Sequence, residues 1–374
     1  MATLIRYVNR SVTHTSGDGT TNGTGNGGTN SYDTLALAIA GLAQDLTAIT
    51  PDVNDELGNA TIAMDILCTG GQADASAVAV NQAGWVTNAA HLLRIRQNGA
   101  GNGAKWDITT NTPHYLQLQP SYGVGIINIG MAINITLQDL MVSATGTLDL
   151  GQQCVTMGNF VFNVHIVRGF YRTTGTTGAF DSTKPFESNA TGAYSLFMQN
   201  VTAVAADGEV FNPSGFSSTV AACAIYNCTF VNKATNRTLF SSANINVGAV
   251  VKLRNLLLQC PTGALLNYAS DGAATTSTIL TQDASAPGTA LDNMTVTFVD
   301  AANWDYHLSA SDTSAKNAGT DLSGDATYPF STDCDVATRS APWDIGSDEV
   351  AGGSSATVIT GLGRRMVSVI HSQG

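Results

Sequence analysis

One column of residues constrains this chain more than any other feature. Asp139, Gly169, Asn200, Asn227 and Asn255 recur at spacings of 27 to 31 residues, in "ITLQDLMVSA", "VHIVRGFYRT", "LFMQNVTAVA", "AIYNCTFVNK" and "VKLRNLLLQC". Asp283 extends the series more weakly. All are Asn, Asp or Gly, the residue types that tolerate the left-handed backbone region. Before the column stand Ile135 and Leu137, His165 and Val167, Leu196 and Met198, Cys223 and Ile225, Val251 and Leu253. After it stand Leu140 and Val142, Phe170 and Arg172, Val201 and Ala203, Cys228 and Phe230, Leu256 and Leu258. Within each flank the step is two, which is strand periodicity; across the column it is three. A flat strand cannot change its inward parity, but one left-handed residue at a corner can. Each repeat therefore reads as strand, one-residue bend, strand, and units stacked at a fixed period make a solenoid. A β-sandwich would instead show hairpin turns every 8 to 12 residues or so. The expected fold is all-β: a right-handed parallel β-helix with an N-terminal capping α-helix and an irregular C-terminal extension. The Asn column is expected to form a ladder of amides bonded to one another along the axis.

Composition agrees with such a coil. Only 12% of the 374 residues are charged, 43% are hydrophobic and 38 are glycine, a balance that favours strands and tight turns over helix. The net charge of -12 argues against nucleic acid or anionic lipid as partner. No apolar run reaches the roughly 18 residues of a spanning helix, and the opening "MATLIRYVNRSV" lacks the apolar core of a signal peptide. Cysteines 68, 154, 223, 228, 260 and 334 contain no CxxC pair and read as buried reduced thiols.

Residues 1–60 read as a Gly-rich loop followed by a capping helix in "YDTLALAIAGLAQDLTAI". There Leu35, Ala38, Ile39, Leu42 and Leu46 fall on one face over three to four turns, and Ser31 or Asp33 caps the start. Residues 61–300 form the β-helix. Residues 301–350 form a C-terminal cap with few strand-like alternations. Residues 351–374 read as a flexible tail ending in a possible attachment strand, "RMVSVI".

The C-terminal stretch "DYHLSASDTSAKNAG … DCDVATRS … WDIGSDEV" resembles the closing segment of many right-handed parallel β-helix proteins. Tyr306, His307, Leu308, Ser314, Ala315, Gly319, Asp335, Arg339, Asp344, Ile345, Gly346 and Glu349 match, whereas Val336 stands where that family usually carries Gly. The N-terminal half resembles a subgroup common in tailed-phage genomes through Tyr32 to Ile39, Cys68, Gly84 to Thr87 and Leu93 to Arg96. The resemblance implies the β-helix fold and a phage context; the scaffold itself carries many functions.

A glycosidase would need two carboxylates facing each other about 5 to 10 Å apart. Candidates are Asp181, Glu187, Asp207 and Glu209, of which Asp207 and Glu209 could share a strand face. No second acidic pair is brought beside them, and the acidic clusters and base of pectate lyases and polygalacturonases are missing. His165 reads as an inward core histidine. The acidic C-terminal group (Asp333, Asp335, Asp344, Asp348 and Glu349) could hold a hard cation through oxygen ligands, but without EF-hand spacing it reads as turn caps. No catalytic residue, metal or cofactor is expected. The expected role is a structural protein of a tailed-phage virion, a rigid decoration, fibre or spike. Its partners would be other capsid or tail proteins and a host surface glycan, in a homo-oligomer that analogy makes a trimer. The alternatives are a tailspike-like polysaccharide depolymerase using Asp207 and Glu209, and a non-catalytic glycan-binding adhesin.

Overall fold

The computed structural model describes residues 2–350 apart from 56–57, 82, 99–102, 109–113, 119–124, 146–151, 159–162, 176–182, 189–193, 213–219, 235–239, 242–249, 261–265, 268–274 and 285–289. The chain winds into a parallel β-helix with two long sheets. In the first, Leu4–Asn9, Ala60–Thr69, Leu92–Gln97, Asn134–Ala144, Asn163–Thr173 and Tyr194–Ala205 lie side by side. They are continued by Val220–Tyr226 with Thr229–Asn232, then Val250–Gln259, Thr275–Thr281 and Ala290–Leu291. The second sheet runs from Val78–Val80 through Ile127–Ile129, Gln152–Met157, Thr183–Ser188 and Phe211–Asn212 to Phe240–Ser241 and Leu266–Asn267. Neighbours within both stacks pair in parallel. Such sheets must be covered on both faces, because their strands are apolar on both.

The bend falls inside each long strand of the first sheet. Asp139, Asn200, Asn227 and Asn255 have φ of 56°, 54°, 49° and 50°. In the coil between the first two, the expected bend residue was Gly169; the register corrects it. Val167 and Gly169 pair with Gln138 and Leu140 on one side and with Gln199 and Val201 on the other, so Arg168 stands opposite Asp139 and Asn200. Arg168 has φ 49°, an unfavourable place for a long side chain, and a bidentate pair with Asp139 offsets it (Nε–Oδ1 2.7 Å, Nη2–Oδ2 2.9 Å). Gly169, at φ 119°, occupies the inward position next to the bend. A Cβ there would come within 2.6 Å of the Leu140 carbonyl and 3.2 Å of the Tyr171 ring. The small residue thus makes room for the large one, and Tyr171 fills the core against Phe186 at 4.8 Å. Thr278 (φ 52°), opposite Asn255, takes the position expected of Asp283.

With that register the inward columns are apolar throughout. Ile135, Leu137, Leu140 and Val142 meet Val164, Ile166 and Tyr171, then Leu196, Met198, Val201 and Ala203, in one buried core. That core continues through Cys223, Ile225, Cys228 and Phe230 to Leu253, Leu256 and Leu258. Val78, Val80, Ile127, Ile129, Val155, Met157, Phe186 and Phe211 close it from the second sheet.

At the N-terminal end, α1 spans Leu35–Leu42 and places Leu35, Ala38 and Ile39 against the core. It is shorter than the expected three to four turns. Past Leu42 the backbone pairs elsewhere: Leu46 N–H donates to the Val86 carbonyl at 2.9 Å, and the Asp45 carboxylate accepts from Thr47 N–H at 2.9 Å. Its N-cap is Thr34, whose side chain accepts from Leu37 N–H; neither Ser31 nor Asp33 fills that place. Ser31 instead donates to the Gly23 carbonyl at 2.7 Å, and Asp33 pairs with Arg10 at 2.8 Å. The Gly-rich opening covers the outer edge of Leu4–Asn9. Tyr7 N–H bonds the Gly19 carbonyl, and Asn9 N–H the Tyr32 carbonyl, each at 2.9 Å. An open strand edge would otherwise invite pairing with another chain.

Residues 305–350 form a strap along the outer face of the first sheet. Three satellite cores lie beneath it. Tyr306 packs with Tyr115, Met141, Phe170, Val204 and Val231. Leu322, Phe330 and Trp343 pack with Phe197, Ala224 and Tyr226. Leu308, Ala315 and Ile345 pack with Leu257 and Leu280. The expected tail strand lies outside the described residues.

Candidate functional site

The strap is fastened at the bend column through Arg339. Its guanidinium donates to Glu349 Oε2 (3.1 Å), Asn200 Oδ1 (3.2 Å) and the carbonyls of Gly346 (2.9 Å) and Ser347 (2.8 Å). Asn227, with its amide oxygen turned to the guanidinium, accepts from Nε at 3.1 Å and Nη2 at 3.2 Å. A charge-assisted bond decides that orientation. Asn200 also donates to the Thr332 carbonyl at 2.8 Å. Asn255 donates to the Thr320 carbonyl at 2.7 Å and accepts from Thr320 N–H at 2.8 Å. The side-chain amides of Asn227 and Asn255 also meet at 3.0 Å, one rung of the expected ladder, so the column bonds both along the axis and to the strap. Glu349 is positioned in turn by N–H groups of Ser340 (3.2 Å) and Asp344 (2.9 Å). Gly346, at φ 105°, lets the strap pass where a Cβ would lie 2.7 Å from Thr229 Oγ1. Arg339, Asp344, Gly346 and Glu349 are thus the parts of a buckle.

A second cluster joins His307, Asp305, Asp335 and Asp348. His307 Nδ1 lies 2.6 Å from Asp305 Oδ1, and Nε2 lies 2.7 Å from Asp335 Oδ2. Carboxylates only accept, so both ring nitrogens donate and the ring is an imidazolium. Burial opposes that charge. The hydrogen bond and charge of Asp335, with Asp348 and Asp305, overcome it and lift the pKa to about 9. Burial pushes Asp348 up to about 6 against the pull of His307. One ligand atom each from His307, Asp335 and Asp348 lies within 4.8 Å of the others. They could hold a divalent ion only by giving up the proton that now joins them. The other acidic residues cap turns: Asp333 accepts from Asp335 and Ala337 N–H at 2.9 and 2.8 Å, and Asp344 from Asn317 and Val350 N–H at 2.6 and 2.7 Å.

The third feature is a groove between the coils and the start of the strap, of about 330 Å³, lined among others by Val231, Lys233, Gln282, Thr295, Phe298 and Tyr306. Its position follows from a backbone junction. Trp106 N–H bonds the Trp304 carbonyl at 3.1 Å, and Tyr306 N–H bonds the Ala104 carbonyl at 2.9 Å. Trp304, at φ 64° after a short 3-10 turn, stands with its ring 4.1 Å from Lys233 Nζ and 4.7 Å from the Arg172 guanidinium. Arg172 also lies 4.0 Å from the Trp106 ring and donates to Ser143 Oγ at 3.0 Å. Burial lowers its pKa to about 10. Burial, then the Arg172 charge, lower that of Lys233. Among the described residues, no carboxylate pairs with either cation.

Of the sequence candidates, Asp207 and Glu209 lie half-buried in the turn between Tyr194–Ala205 and Phe211–Asn212, not on a strand with a common face. Asp181 and the Glu187 side chain lie outside the described residues. His165 does not point into the core, as expected of it. It sits on the outer face, 5.7 Å from the Phe197 ring and 6.4 Å from Tyr328, where burial lowers its pKa. None of the six buried cysteines is in a disulfide, and burial pushes the thiols of Cys154, Cys223 and Cys228 up to about 12, so these three are inert. Sequence reasoning missed Trp106, Trp304 and Lys233, because no periodicity links them. No family model, curated protein or solved structure matches the chain.

Proposed function

We propose that this chain is a structural component of a tailed-phage particle, a rigid β-helical decoration, fibre or spike exposed on the virion. The observation that carries the reading is the buckle. One buried arginine ties the strap to Asn200 and Asn227 on successive coils and to the backbone of residues 346 and 347, so that coils and strap resist separate opening. A long stack held at its flank suits a part that bears load outside a cell. The closing-segment motif that resembles many right-handed parallel β-helix proteins supplies those buckle residues, and the resemblance of the N-terminal half supplies the phage context. Its partners in this reading are neighbouring capsid or tail subunits.

The test is to purify particles of a tailed phage carrying this gene, quantify the chain by mass spectrometry and locate it with gold-labelled antibody. The reading expects a fixed copy number at one place on the particle. A chain made during infection but missing from purified particles overturns it.

A further inference from the structure

The N-terminal cap closes over a histidine that makes no hydrogen bond. His114 is 1% exposed, and neither ring nitrogen has a partner. Asp74 Oδ2 stands 3.6 Å from its Nε2, too far for a hydrogen bond. That carboxylate, 0% exposed, already serves the cap. It accepts from the N–H of Leu35, the first residue of α1, at 2.8 Å and from Ser76 N–H at 3.1 Å. Arg10 adds a positive charge near the ring. Its backbone N–H bonds the Thr69 carbonyl at 2.7 Å, and its guanidinium bonds Asp33 at 2.8 Å and the Ala73 carbonyl at 3.2 Å. Burial, aided by Arg10, outweighs the pull of Asp74 and the Thr69 carbonyl and lowers the pKa of His114. Cys68, which also feels Asp74, is kept a neutral thiol by burial.

We infer that protonation of His114 releases the N-terminal cap, so that α1 is an acid-sensitive cover on the open end of the coil. A neutral ring leaves one N–H unpaired, and an imidazolium leaves two. Asp74 can serve them only by leaving Leu35 and Ser76, and water can serve them only if the cap lifts. Both routes unseat Leu35, Ala38 and Ile39 from the core they share with Val78 and Val80. The folded ring holds its proton less tightly than the ordinary 6.5, so the stability of the cap is lost as pH falls below that value, by at most about tenfold per pH unit for one proton. The inference is independent of the virion assignment, since it concerns the chain alone.

Hydrogen exchange of the full chain at about pH 7 and about pH 5.5, with labelling times scaled for the intrinsic rate, tests it. Amides of residues 35–42 should lose protection several-fold at the lower pH while those of residues 196–205 keep theirs. His114→Gln and His114→Phe, neutral at every pH, should each show the same protection of residues 35–42 at both. His14, 3.4 Å from Asp33 in the same cap, remains in both variants and would reveal itself there if it were the sensor. Carbon-13 NMR of labelled histidine should place the His114 midpoint below about 6.5. Equal protection of residues 35–42 at the two pH values in the wild type, acid loosening that persists in either folded variant, or a His114 midpoint at or above about 6.5 overturns the proposal.

Discussion

At the scale of single residues, the bend positions carry the fold because they combine a left-handed backbone with a buried amide. Asn255→Gly keeps the conformation and loses the two bonds to Thr320, a cost of about 1–3 kcal/mol. Asn255→Ala loses both bonds and adds about 1–2 kcal/mol of left-handed strain. Denaturant titration should therefore rank alanine below glycine and glycine below wild type. Val336 is the opposite case. It stands at φ 67°, is 45% exposed, and replaces a glycine of the motif it resembles. A β-branched residue is strained there, so Val336→Gly should raise stability by about 1 kcal/mol, read as a higher midpoint in urea. Residue type made four of the five bend positions legible in the sequence. Arg168 was not legible, because an arginine enters the left-handed region only with a partner, and Asp139 is a neighbour in space across one coil.

At the scale of elements, the strap depends on Arg339. Removing its side chain leaves Glu349 buried without its counter-charge and frees the amides of Asn200 and Asn227. Arg339→Ala should cost about 3–5 kcal/mol, and limited proteolysis should cut between residues 320 and 345 before it cuts the coils. His307 ties the strand Asp305–Leu308 to Asp335 of the same strap. Its folded pKa, about 9, lies above the ordinary 6.5. The stability it contributes is therefore complete below pH 6.5 and is lost as pH rises through 9. Asp348 is also raised, to about 6 from 3.8, so its contribution is complete below pH 3.8 and is lost as pH rises through 6. Thermal melts should fall between pH 6.5 and 9.5, and His307→Gln should flatten that fall while moving the Asp348 change to higher pH, because the pull of His307 on that carboxyl is lost. The strap's motif residues were visible in the sequence, but not what they fasten. The run Leu256, Leu257 and Leu258 shows why. Two point inward and the middle one lies under the strap, and apolar character alone does not separate a core position from a covered outer one.

At the scale of the whole molecule, the period of about thirty residues revealed the stacked coils, and the register of parallel pairs bears out the solenoid. The helix and the Gly-rich opening were legible as an N-terminal unit. The edge cover they build was not, because it consists of backbone bonds that many sequences could make. The groove was invisible for a related reason: Lys233, Gln282, Phe298 and Tyr306 come from separate coils and the start of the strap. The central claim is that coils and strap form one mechanical body locked at the bend column. Hydrogen exchange read by mass spectrometry tests it directly. In the wild type, amides of residues 196–205, 223–231, 253–258 and 331–349 should exchange together at one slow rate, and in Arg339→Ala the last group should exchange far sooner than the other three. Fast exchange of residues 331–349 in the wild type, or an unchanged pattern in the variant, would contradict the account.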